Sequence, residues 1–187
     1  MFGPGLFHDL TLRARAAILC LAAACLLLTA AAARAAPETP GAARFEYGYF
    51  CALEPVDHGV AEETVAGVVN LIEGRPDFLK TGPLVPAQIG LGFGVLVEAK
   101  PSHAGVADML VTHPPMGPEG VTEQRWVTEV SGDLDYFGYT FDEDYELLPG
   151  EWVLSARSNG RLIYRVAFTV LDPALMPPAS CGMVPMS

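Results

Sequence analysis

Cations are scarce in this chain. It carries 11 Lys and Arg against 22 Asp and Glu, a formal net charge of −11 over 187 residues. Such a surface repels the phosphates of nucleic acids and excludes that class of partner. It is equally unsuited to an anionic membrane surface. Cysteine is scarce too, at four residues with no Cys-x-x-Cys spacing, which argues against a redox or thiolate metal centre. Beyond residue 36 there is no amphipathic helical repeat and no internal repeat. A dinucleotide loop is lacking as well: Gly90, Gly92 and Gly94 follow a Pro-rich segment and run into a strand pattern, where that loop needs a strand before it and a helix after it.

What is present begins with an export signal. Arg13 and Arg15 form a short positive region, Ala16 to Ala33 is almost wholly apolar, and Ala33-Arg34-Ala35 places small residues where a signal peptidase cuts. Residues 1–35 are therefore expected to leave as a signal peptide. The alternative is an uncleaved helix anchored in the inner membrane, because an 18-residue run reaches the lower limit for a span. Alanine dominates that run and is only weakly hydrophobic. Cys25 lacks the preceding leucine of a lipoprotein site. Removing Arg13, Arg15, Arg34 and Asp9 with the leader leaves eight cations against 21 anions on 152 residues, enough for one domain with a real core. The expected location is periplasmic or secreted, with no stable membrane insertion after cleavage.

In an oxidising compartment the two cysteines outside the leader, Cys51 and Cys181, are expected to form one disulfide. It would tie the first strand to the C-terminal tail. The chain-entropy argument gives about 4–5 kcal/mol for so long a loop.

The last ordered stretch is the clearest structural signal. Trp152, Leu154 and Ala156 alternate with Glu151, Val153, Ser155 and Arg157; Leu162, Tyr164, Val166, Phe168 and Val170 repeat the alternation. Between them sits Asn159-Gly160, which tolerates positive φ at both turn positions. Two strands with one apolar face each must bury that face against another sheet. Upstream, strands are expected at 44–52, 64–73, 91–99, 107–113 (stopped by Pro114-Pro115), 121–130 and 136–141. With the hairpin this makes eight. The spacing predicts an all-β, immunoglobulin-like β-sandwich of about 7–8 antiparallel strands over residues 44–172. Residues 36–43 are expected to be loose and residues 173–187 to form a Pro- and Met-rich tail. The polar stretch 54–63 is expected to be turns and solvated charge.

The candidate sites are thin. Asp133-x-Asp135 with Gly138 and Asp144 echoes a calcium loop, but Phe137 and Asp144 stand where ligands of the wrong kind result, so a solvated acidic turn is expected. His58, His103 and His113 have no nucleophile with an activating context nearby in sequence, although a triad assembles only in the fold. His113 and Met116 bracket Pro114-Pro115, and the tail adds Met176, Met183 and Met186. Thioether and imidazole ligands suit Cu(I), which makes a copper site the alternative to methionines that fill gaps. No catalytic residue, cofactor or metal site is assigned.

The segments Phe45-Glu-Tyr-Gly-Tyr-Phe-Cys51, Gly90-Leu-Gly-Phe-Gly94, Thr112-His-Pro-Pro-Met-Gly117, Glu123-Gln-Arg-Trp126, Gly138-Tyr-Thr-Phe141 and Gly150-Glu-Trp152 resemble a bacterial family of exported proteins with no assigned function. The resemblance implies an immunoglobulin-like fold and export, and supplies no catalytic residues. The expected role is a non-enzymatic binding or structural module whose partner is an envelope protein or other periplasmic component. Its contact surface is expected at loop 113–120 and the acidic turn 142–149.

Overall fold

The computed structural model describes residues 35–181. The expected signal peptide up to residue 34, Met183 and Met186 lie outside them. Among the described residues eleven strands form three sheets: β1 (Ala42–Cys51), β2 (Pro55–Val60), β3 (Val68–Ile72), β4 (Phe78–Thr81), β5 (Leu84–Pro86), β6 (Leu91–Ala99), β7 (Gly105–Met116), β8 (Val121–Val130), β9 (Leu134–Thr140), β10 (Gly150–Ser158) and β11 (Arg161–Leu171). Sheet order is β4-β1-β6-β9 in one layer and β5-β11-β10-β7-β8 in the other, with β2-β3 as a separate arm. This is the expected all-β sandwich. Among the described residues no helix is long and apolar enough to cross a membrane.

The core follows the alternation. Phe93, Val95 and Val97 of β6 face Trp152, Leu154, Ala156, Tyr164, Val166 and Phe168 of the closing hairpin, all at most 2% exposed. The turn at Asn159-Gly160 has φ of 50° and 72°, the positive values that this dipeptide permits. Val153, on the opposite register, is also buried, because β10 is the central strand and its flanks are covered by β11 and β7.

Four features depart from the sequence expectations. Strand β7 runs through Pro114-Pro115 to Met116, because its register with β8 shifts between Thr112 and Met116 and a proline there removes no ladder bond. Two short strands, β4 and β5, lie in the Pro-containing connection, and β5 pairs with β11 in parallel. The stretch 54–63, expected to be turns and solvated charge, contains a strand, β2, paired with β3 as an arm; Val65 and Leu71 of the expected strand 64–73 are exposed there. Residues 36–43, expected to be loose, are pinned from Glu38 onward. Glu38 exchanges both backbone bonds with Arg165 at 2.9 and 2.8 Å, and Gly41 N donates to Ile163 O.

Cys51 and Cys181 are bonded, with their Cα atoms 5.5 Å apart. The bond joins the end of β1, in one layer, to the segment beyond β11, in the other. Gln88 holds the same segment through Ala179, donating to its carbonyl and accepting from its N–H.

The glycines of β6 allow close approach. A Cβ on Gly92 would meet the Phe50 ring, and one on Gly94 would meet the Phe137 carbonyl and Gly138. Phe50 thereby settles on the outer face of its sheet, edge-on to Tyr136.

Candidate functional site

The arm β2-β3 leaves the outer face of the four-stranded sheet and reaches across to β8. Its tip is fixed by two bonds: Val65 N donates to Gln124 Oε1 at 2.9 Å, and Arg125 N donates to Glu63 O at 3.1 Å. Asn70 Nδ2 donates to Asp142 Oδ2. Beneath this bridge lies a cleft of about 700 Å³, lined by the arm, by Trp126 to Glu129 of β8, by Asp135 to Thr140 of β9 and by the acidic turn.

Both sandwich layers end at this cleft, β8 as the outermost strand of one and β9 of the other. Strand residues alternate in the direction of their N–H and C=O groups. Phe141 exchanges bonds on the β6 side, so Tyr136, Gly138 and Thr140 point theirs away from β6. Arg125 points toward the arm, so Val127 and Glu129 also point away from β7. Among the described residues no backbone group pairs with these five.

One end of the cleft has a buried polar floor of Gln124 and Glu146, with His113 behind Gln124 and outside the lining itself. His113, Gln124 and Glu146 are 5%, 4% and 7% exposed. His113 Nδ1 donates to Pro114 O at 2.8 Å, since a carbonyl can only accept. Its Nε2 therefore carries the lone pair and accepts from Gln124 Nε2 at 3.0 Å. That orientation leaves Gln124 Oε1 to accept from Val65. The imidazole packs on Trp152 with ring centres 4.8 Å apart. Burial lowers the His113 pKa, against the bond to Pro114 O, which raises it.

Glu146 completes the floor. Its Oε1 accepts from the Tyr139 hydroxyl at 2.8 Å, and Oε2 accepts from the backbone N–H of Asp142 and Glu143. Burial raises its pKa, while these three bonds oppose the rise. Burial, then the neighbouring Glu146 charge, pushes Tyr139 well above the usual phenol range. The Tyr139 ring packs on Trp152 at 4.9 Å.

His113, Met116, Gln124, Trp126, Tyr139, Phe141 and Trp152 come from four of the segments on which the family resemblance rests. The fold brings six of them into one cluster around Trp152, with Trp126 partly buried against the same core. The sequence signal for the cluster was this set of segments; their convergence was not visible because they lie on four different strands.

The other candidates separate. Both ring nitrogens of His113 are engaged and Met116 is fully buried, its sulfur 3.8 Å from the Tyr139 hydroxyl, so neither presents a free ligand atom in this arrangement. Among the described residues no group of three or more His, Cys, Asp or Glu side chains could hold a metal ion. Ser102 Oγ lies 3.0 Å from His103 Nδ1, but the ring faces the Arg161 guanidinium at 3.4 Å, where a triad needs a carboxylate. Asp135 accepts from Ser131 N and Oγ as an ordinary turn. Loop 113–120 contributes nothing to the cleft lining, whereas the acidic turn supplies Asp142, Glu143, Tyr145 and Glu146.

The architecture defines a class: a two-layer β-sandwich with an arm bridging its open side. Residues 39–170 match the family described as Domain of unknown function (DUF3859), and the chain belongs to that family. The resemblance read from its motifs thus holds. The chain is also similar to an immunoglobulin-like protein from Pseudomonas aeruginosa of known crystal structure, at 22% identity over 74% of this chain and 99% of that chain, with a TM-score of 0.45. No curated protein matches.

Proposed function

We propose that this protein is a non-enzymatic binding module of the periplasm or the extracellular space, and that its binding site is the cleft under the β2-β3 arm. The observation that carries this reading is the coincidence of three features in one place. The cleft is large, it is flanked by two strand edges on which Val127, Glu129, Tyr136, Gly138 and Thr140 have no backbone partner among the described residues, and Val60 and Val127 stand 85% and 64% exposed on its walls. Exposed apolar side chains beside open strand edges are a liability unless something covers them. The polar floor supports binding over catalysis. The ring nitrogens of His113 and the two carboxylate oxygens of Glu146 are all engaged within the protein, which leaves neither group poised to transfer a proton to a substrate. The disulfide supports an oxidising compartment.

Site-specific photo-cross-linking in intact cells tests this. A benzophenone side chain at Val60 or Val127 should give discrete adducts, and one at Leu175, 72% exposed in the tail, should give none. Equal labelling at all three positions would remove the cleft from the argument. Hydrolytic turnover of a small substrate panel, lost on substitution of Glu146, would overturn the non-enzymatic reading.

A further inference from the structure

The cleft is one-sided in charge. Its lining includes Glu129, Asp135, Asp142, Glu143 and Glu146 and contains no Lys, Arg or His. Glu129, Asp142 and Glu143 are exposed; Glu129 lies near the end of β8, before the short turn that leads into β9, and the other two lie just beyond Thr140. Between them the edge offers Tyr136, Gly138 and Thr140, three residues whose N–H and C=O groups face away from β6. Six residues of strand at about 3.4 Å each span roughly 20 Å, so the edge is long enough for a short extended segment. Trp126, Tyr136 and Tyr145 add aromatic rings to the same walls, which suits cations as well as apolar groups.

We propose that the occupant of the cleft is an extended polypeptide segment of about six residues that pairs with the β9 edge and alternates Lys or Arg with β-branched apolar residues. This rests on the cleft being the binding site. Backbone pairing holds the segment in strand conformation, as in strand addition to a sheet edge. Its period of two sends one set of side chains to the carboxylates and the other to Val60, Val68 and Leu71 of the arm. A free polyamine has the charge but no amides and no apolar face. An acidic strand has the amides but is repelled by the exposed carboxylates of Glu129, Asp142 and Glu143, and a neutral strand leaves them unpaired.

The probe is an N-acetylated octapeptide alternating lysine and valine, titrated against the purified protein and followed by backbone amide NMR shifts. The expected result is saturable binding with shifts confined to β9, the arm and the acidic turn. Affinity should fall at least tenfold when glutamate replaces lysine, when alternate peptide amides on the pairing edge are N-methylated, and when the probe is spermidine. The double variant Glu129→Gln, Glu143→Gln should keep its spectrum outside the cleft and lose at least fivefold in affinity for the lysine peptide. Equal binding of the lysine and glutamate peptides, or of spermidine, overturns the cationic strand. Cross-linked adducts at Val127 that excess lysine peptide fails to displace also overturn it, while leaving the cleft as the binding site. Absence of adducts at Val60 and Val127 removes the cleft itself.

Discussion

At the scale of single residues, His113 decides the most. Its hydrogen bonds fix one protonation state. Protonation would place a second N–H against the amide hydrogens of Gln124. Turning the Gln124 amide would then set its NH2 against Val65 N–H. The charged form is therefore opposed by bonding as well as by burial. Because burial holds the folded pKa below 6.5, the unfolded chain takes up the proton first as pH falls. The stabilising contribution is complete above about pH 6.5 and is lost as pH drops through the folded value. Glu146 works in the other direction. Its folded pKa is raised above 4.5, so its contribution is complete below that value and is lost as pH rises through the folded one. The variant His113→Leu separates them, since Glu146 is common to both proteins. It should cost about 1–3 kcal/mol at pH 7.5, where it takes the imidazole away from Pro114 O and from the Gln124 NH2, and clearly less at pH 5. Denaturant titrations at both values check this; an equal cost would mean that the imidazole is not held neutral. None of it was legible in Thr112-His-Pro-Pro-Met116. A histidine beside two prolines and a methionine looks like a loop or a soft metal site, and its partner Gln124 sits on the next strand.

At the scale of elements, the strands that bury one face were legible and the others were not. Strands β6 and β8 start and stop where the alternation does, and the closing hairpin falls on Asn159-Gly160. Trp152 is wholly buried among Phe93, Tyr139, Phe141 and His113, with its indole N–H donated to Leu148 O. Trp152→Ala should cost about 3–5 kcal/mol, and Val153→Thr less, although Val153 is itself only 6% exposed. Chemical denaturation of the pair reads the register: a larger loss at Val153 would invert it. The β2 strand was hidden because Pro55-Val-Asp-His-Gly-Val60 has nothing to alternate; it buries neither face. The arm is held at its tip. Gln124→Ala removes the acceptor of Val65 N–H, so amides of β2 and β3 should exchange hydrogen at least tenfold faster while those of β6 and β10 keep their protection. Unchanged protection in the arm would show that other contacts hold it.

At the scale of the whole molecule, two layers and one covalent tie were legible, because the period of two points to the layers and the two cysteines left beyond the expected leader point to the tie. The cleft was not. It is made where β8, β9 and the arm meet, and sequence alone does not say which strands end their sheets. The tie makes the remaining prediction. Cys51 and Cys181 are separated by 130 positions, so the bond constrains nearly the whole described chain when unfolded. Loop-closure entropy for that length is about 5 kcal/mol, an upper value because the tail gains freedom in the folded state once the bond is gone. Gln88 limits that gain by holding Ala179 with two bonds. Cys51→Ala, Cys181→Ala should therefore lower the unfolding free energy by about 2–5 kcal/mol. The tail should stay docked in that variant, with Ala179 amide exchange still protected. Adding Gln88→Ala should then release the tail at little further cost to global stability, because the sandwich itself does not need those two bonds. If the double cysteine variant alone frees Ala179, the bond and not Gln88 positions the tail, and the measured loss will fall toward the lower end.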